Sequence, residues 1–148
     1  MPSTKNKIGL KFSGFQEMIE KLDKLEGDIN ATTEQALRES KQYVTDNLLA
    51  VTVKANFPAH GKFSTGRVRE SIDRDISVLW QGSTASIDVG YEFEKSGPVS
   101  IFLMYGTPRK AKVQPMFDAI YGSQTTKKIK EIQKKVFANA IKEKMEGK

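Results

Sequence analysis

Between Ile72 and Tyr91 side chains alternate on both sides of a short polar break, and no other stretch narrows the possible folds as much. Ile76, Val78 and Trp80 alternate with Asp75, Ser77 and Leu79, and Ala85, Ile87 and Val89 alternate with Ser86, Asp88 and Gly90. A period of two on both arms is the pattern of a half-buried hairpin. With Gly82-Ser83 as a two-residue loop, Gly82 supplies the positive φ that a type II′ turn needs at its first central position. This register pairs Trp80 with Ala85, Val78 with Ile87 and Ile76 with Val89 on one face. A slip of one residue would turn all of them to water. A lone hairpin is marginal in water, so other parts of the chain must cover its apolar face.

The two ends of the chain offer that cover. Residues 1–6 and 146–148 are polar and expected to fray. Ile8, Leu10 and Phe12 alternate with Gly9, Lys11 and Ser13, a short strand that can join the hairpin. From Phe15 the period becomes helical, through Met18, Ile19, Leu22, Leu25 and Ile29. Gly27-Asp28 interrupts or bends it, and Asp28 can cap a second segment. Ala36, Leu37, Val44, Leu48 and Val51 carry a long helix to about Val53. Pro58, His60 and Gly61 make residues 54–65 a loop, and Thr65 to Ile72 reads as a helical turn with Val68 and Ile72 inward. Val99 to Tyr105 is apolar all round, which fits a buried strand or a short helix equally. Pro115 opens a short helix that Gly122 ends. A final helix, capped by Ser123 or Thr125, lines up Ile129, Ile132, Val136, Phe137, Ala140, Ile141 and Met145 on one stripe. The expected fold is a single α+β domain over 1–148. A small antiparallel sheet built on the central hairpin (about 72–91) is packed by a long N-terminal helical region and a C-terminal amphipathic helix.

Composition removes several chemistries. The chain has no cysteine and one histidine, His60, so thiolate sites are excluded and an ordinary zinc site lacks nitrogen ligands. An intracellular origin fits that usage. No apolar run approaches the ~20 residues of a membrane span, and the start of the chain lacks a signal-peptide apolar region. The net charge of +6 is concentrated: from Lys127 onward eight lysines face three glutamates, whereas the rest carries 16 basic and 15 acidic residues. Such an all-lysine strip is a solvated helix face or a phosphate- or partner-facing one. Asp73 and Asp75 flank Arg74 and read as an exposed structural pair. Glycine-rich phosphate loops, GxSxG elbows and HExxH helices are absent. The sequence therefore points away from an enzyme and from any cofactor.

Two segments carry a resemblance. Pro58 followed by Thr65-Gly66-x-Val68-Arg69-x-Ser71-Ile72 resembles the "P…TGxLRxSI" signature of the head–tail joining, neck or tail-completion (minor tail component) family of long-tailed bacteriophages. Phe102-Leu103-Met104-Tyr105-Gly106-Thr107, and after a basic loop Pro115-Met116-Phe117, stand in the places of that family's aromatic-Gly-Thr and "PF" segments. Met104 occupies a position where the family usually has glutamate. The order of these segments and the flanking helices extends the likeness over nearly the whole chain. It implies a virion structural protein at the head–tail junction, held in the host cytoplasm before assembly. The implied form is a homo-oligomeric ring, sixfold, between head-connector and tail proteins, with no membrane partner.

The segments expected to carry contacts are the sheet edges and the loops 57–64 and 106–114. The candidate residues are Phe57, Phe63, Arg67, Arg69, Tyr105, Thr107, Arg109, Lys110 and Lys112. Arg109, Lys110 and Lys112 lie on a basic loop that can meet passing DNA through phosphates without reading sequence. Two other classes compete: a small basic nucleic-acid-binding protein, and a ribonuclease-type toxin, which the absence of a His/Glu/Arg cluster disfavours.

Overall fold

The computed structural model describes residues 6–11, 16–58, 66–82, 84–96 and 98–147, and the fold is α+β as expected. The elements are β1 (Asn6–Lys11), α1 (Gln16–Lys24), α2 (Ile29–Val51), α3 (Arg67–Glu70), β2 (Leu79–Gln81), β3 (Thr84–Tyr91), α4 (Phe93–Ser96), α5 (Val99–Tyr105), α6 (Gln114–Tyr121) and α7 (Ser123–Glu146). A short 3-10 turn, Lys54–Asn56, follows α2.

The three strands form one antiparallel sheet in the order β1-β3-β2. Trp80 pairs with Ala85 across Gly82, whose φ is 62°, so the register at the tip is the expected one. The arm before it differs. Only three residues of β2 pair, and Ile87 and Val89 take Leu10 and Ile8 of β1 as partners. The expected pairs of Val78 with Ile87 and Ile76 with Val89 do not form, and Ile76 is 57% exposed.

The reason lies in α2. Lys41 Nζ bonds the Asp73 carboxylate at 2.8 Å and also the Asp75 carbonyl, while Arg38 Nε donates to the Ile76 carbonyl at 3.2 Å. The Asp75 carboxylate accepts from the Ser77 amide at 3.0 Å and from its hydroxyl at 2.7 Å. The Asp75 and Ile76 carbonyls, the Ser77 amide and the carboxylates of Asp73 and Asp75 are thus engaged away from the ladder. The pairing resumes at Ile72, which bridges Tyr91, so the arm has slipped by two residues and its side-chain alternation is kept.

Helix α2 is the central beam. Asp28 caps it, its Oδ1 accepting from the Ala31 amide at 2.9 Å. Gly27 separates it from α1 outright: a β-carbon there would lie 2.3 Å from the Leu22 side chain. The inward stripe of α2 packs three ways. Val44 and Leu48 join Val68, Ile72, Val89, Tyr91, Met104 and Met116 in the main core. Leu37 meets Ala85 and Ile87 under the hairpin tip, and Ala36 meets Leu22, Val136, Phe137 and Ile141 of the two flanking helices. In the α7 stripe Val136, Phe137, Ala140 and Ile141 pack with α1 and α2, Ile129 packs on the main core, and the last member, Met145, is exposed. At the far end of α2 the buried hydroxyls of Thr52 and Tyr91 bond at 2.6 Å. Burial pushes the Tyr91 phenol up to about 12, the Thr52 bond working weakly the other way.

Gly122 closes α6 and opens α7. It is the C-cap of the first and the N-cap of the second, and neither Ser123 nor Thr125 caps α7 as expected. The Thr125 hydroxyl instead donates back to the Asp118 carbonyl at 3.0 Å. A β-carbon at Gly122 would sit 2.6 Å from that same carbonyl oxygen. The apolar run 99–105, open between strand and helix in sequence, is the helix α5.

Candidate docking surface

A seven-residue helix that is apolar on every side can bury only the side it packs with. In α5 that side is Ser100 and Met104, four apart and both fully buried. Val99, Phe102 and Tyr105 are left outward, 47%, 51% and 44% exposed. Met104, in the position where the resembled family has glutamate, is a core residue.

Helix α6 runs alongside. Pro115 stands in its first turn, and Met116, Ala119 and Ile120 face the core. Phe117 and Tyr121, one turn apart, close an aromatic cluster with Tyr105. The Phe117 and Tyr121 rings stack at 4.7 Å between centroids, and Tyr105 meets Phe117 edge-on at 6.2 Å. The Tyr105 and Tyr121 hydroxyls share a hydrogen bond of 2.7 Å. Desolvation, then that bond, raises the Tyr105 phenol above its ordinary value.

Between the two helices a tight turn carries the basic residues. Thr107 and Lys110 pair through both backbone bonds, 2.8 and 3.2 Å, and the Thr107 hydroxyl accepts from the Lys110 amide at 3.1 Å. Gly106 starts the turn at φ 80°, ψ 177°, a conformation essentially reserved for glycine. Arg109 and Lys110 project into solvent, and the Lys112 ammonium lies 3.8 Å over the Phe117 ring. The result is an exposed aromatic face with cations beside it. Tyrosine, phenylalanine and arginine are the residues that anchor protein interfaces.

The structure brings Tyr105, Thr107, Arg109, Lys110 and Lys112 into one neighbourhood. Arg67 and Arg69 are exposed on α3, a separate element packed on α4, with Val68 between them buried. Phe57 is half-buried against the main core, so most of its ring is spent within the chain itself. Phe63 and His60 lie outside the described residues.

Two features went unread in the sequence. Phe102 and Tyr121 belong to the exposed face, and nothing in an all-apolar run says which side stays outside. Asp73, expected as an exposed partner of Asp75, is 2% exposed and forms a buried ion pair with Lys41, with Lys7 Nζ 3.8 Å from its other oxygen. Here a signal existed, for Lys41 stands between Leu37 and Val44 on the inward stripe of α2, where an ammonium needs a buried acid. The pair is enclosed, and it holds the 73–75 segment to α2. Among the described residues no three histidine, aspartate or glutamate side chains gather to hold a metal ion. Among them, too, no helix is long and apolar enough to cross a membrane. Comparison with protein-family models, curated proteins and solved structures returned no match to this chain.

Proposed function

We propose that this chain is a structural virion protein of a tailed bacteriophage, acting at the head–tail junction as a neck or tail-completion component, and not an enzyme. The observation that carries the reading is a coincidence of place. The second of the segments that bear the resemblance, Phe102–Thr107 with Pro115–Phe117, lies where aromatic rings gather around a basic turn. A face of this kind suits adhesion to a neighbouring protein. In a ring, one surface of each subunit meets a different surface of the next, and closure limits the copy number.

Sedimentation and negative-stain imaging test the reading, alone and with head-connector and tail-tube proteins. Closed rings, or capture onto either partner, are the expected outcome. A chain that stays monomeric and binds neither overturns it. The basic turn is proposed to meet passing DNA, and Lys110→Glu with Lys112→Glu checks this: unchanged DNA retention in assembled particles refutes that role.

The exposed lysines along α7, among them Lys127, Lys128, Lys134 and Lys135, favour nucleic-acid binding as a second reading. Salt-dependent retention on random duplex DNA at micromolar protein supports it, and its absence at ~0.15 M salt removes it.

A further inference from the structure

Among the described residues the sheet ends in two unlike edges with no further strand paired to either. The Asp73 amide donates to the Gly90 carbonyl and the Glu92 amide to the Ser71 carbonyl, so even-numbered residues of β3 bond toward the β2 side. Odd-numbered residues therefore bond Asn6, Ile8 and Leu10, and the amide and carbonyl of Lys7 and Gly9 point out of the sheet. At the opposite edge Leu79 and Gln81 bond inward, which leaves the backbone groups of Trp80 open.

Neither edge carries a proline; β1 bears Lys7 and Lys11, and β2 is protected only by its shortness. Leu79 is 54% and Trp80 37% exposed. Beside β1 runs a groove of about 240 Å³ between the strand and α7, walled by Ile8, Leu10, Ile120 and Ile129. Gln133 lines it from α7; its side chain is buried and its Nε2 finds no hydrogen-bond partner among the described residues. A buried amide donor without an acceptor is costly and calls for a carbonyl. Lys130 stands at the rim.

We propose that this groove receives residues 76–81 of a second copy, laid parallel to β1, so that the sheet continues from one chain to the next. The inference rests on the self-assembly reading above and names the surfaces it uses. Both edge strands run antiparallel to β3, so they share a direction, and a copy repeated head to tail brings β2 parallel to β1. In a parallel pair a residue with outward bonds lies opposite one with inward bonds, and 76–81 laid along 6–11 sets Gly9 against Leu79. Their side chains then share a face, and the helices of both copies stay on one side of the sheet. Antiparallel docking of the same edges would put the next copy's helices on the opposite side. The incoming chain sets Val78 and Trp80 toward the apolar wall and brings the exposed carboxylate of Asp75 to a rim that carries Lys130. Two-fold pairing of β1 with β1 would instead join two lysine-bearing edges and leave Leu79 in water.

The absence of cysteine makes the pairing readable. A chain carrying both Gly9→Cys and Leu79→Cys is expected to give a ladder of covalent oligomers on mild oxidation, while each single variant stays monomeric on a non-reducing gel. Within one subunit the two positions flank β3, at least ~9 Å apart and beyond disulfide reach. Gly9 has room for a β-carbon, the nearest atom being 3.8 Å away. A covalent dimer from Gly9→Cys alone overturns the proposal in favour of two-fold pairing. Sedimenting assemblies of the parent chain without a ladder overturn the edge pairing and leave self-assembly standing. Monomers without a ladder overturn both. As a second measurement, Leu79→Lys, an exposed change, is expected to weaken association at least tenfold with the helical circular dichroism unchanged, and undiminished association refutes the pairing.

Discussion

Truncation of Asp73 to alanine should be the most damaging single change to the middle of this fold. Lys41 and Asp73 side chains are 3% and 2% exposed, and their charged atoms are 2.8 Å apart. Asp73 also accepts from the Asp75 amide at 3.2 Å. Without the carboxylate, the Lys41 ammonium stays inside with the Asp75 carbonyl as its remaining bond among the described residues. Lys7, whose ammonium lies 3.8 Å from Asp73, offers no acceptor and adds a second cation nearby. Removing one partner of a buried pair costs about 3–5 kcal/mol. At ~2.1 cal/mol/K per residue, a chain of 148 residues loses roughly 10–16 °C in Tm for that cost. Replacing both charges, as Lys41→Met with Asp73→Leu, removes the desolvation cost along with the attraction, and its stability should return to within about 2 kcal/mol of the parent. Urea unfolding of the four chains in the double-mutant cycle checks this. A loss below ~1 kcal/mol for Asp73→Ala, or two single effects that simply add, would refute the claim that the pair is buried and coupled.

Other outcomes follow from the same geometry. The Tyr91 phenol, held up near 12 by burial against an unfolded value near 10, favours the neutral form in the folded state. Its contribution is complete below pH ~10 and is lost as pH rises toward 12, up to roughly 3 kcal/mol. Unfolding of the parent and of Tyr91→Phe across pH 9–12 isolates it, and parallel curves would refute it. Gly106→Ala forces a side chain into a glycine-only conformation with its β-carbon 2.8 Å from the Lys112 amide nitrogen; a loss of about 1–3 kcal/mol by thermal unfolding is expected. Leu48→Ala, in the fully buried stripe of α2, should cost about 2–5 kcal/mol by urea titration. Phe102→Ser should change stability by less than ~0.5 kcal/mol yet reduce capture by whichever protein docks on α5 and α6, measured by co-sedimentation.

Legibility in the sequence tracked how local the cause was. Asp28 as a cap, Pro115 and Gly122 as the limits of α6, and the spacing of Val136, Phe137 and Ile141 are read within one or two turns of chain, and each appears where its pattern put it. The shortening of β2 could not be read so, because its causes are Arg38 and Lys41, more than thirty residues away. The alternation of Ile76, Val78 and Trp80 is real, but half of it serves an extended crossing rather than a ladder. The exposed aromatic face was half legible. The basic turn and Tyr105 stood out in sequence, whereas Phe102 and Tyr121 became part of it only once α5 and α6 packed side by side.

Gly122 has one more implication, a mechanical one. Because a single residue terminates one helix and begins the other, with no room even for a methyl group, there is no slack at that corner. Force applied to the Phe117 and Tyr121 rings is handed to α7 as through the elbow of a bent lever. Since α7 lies along α2, a load on the aromatic face is borne by the whole helical layer, and lengthening the corner by a residue or two should uncouple the two.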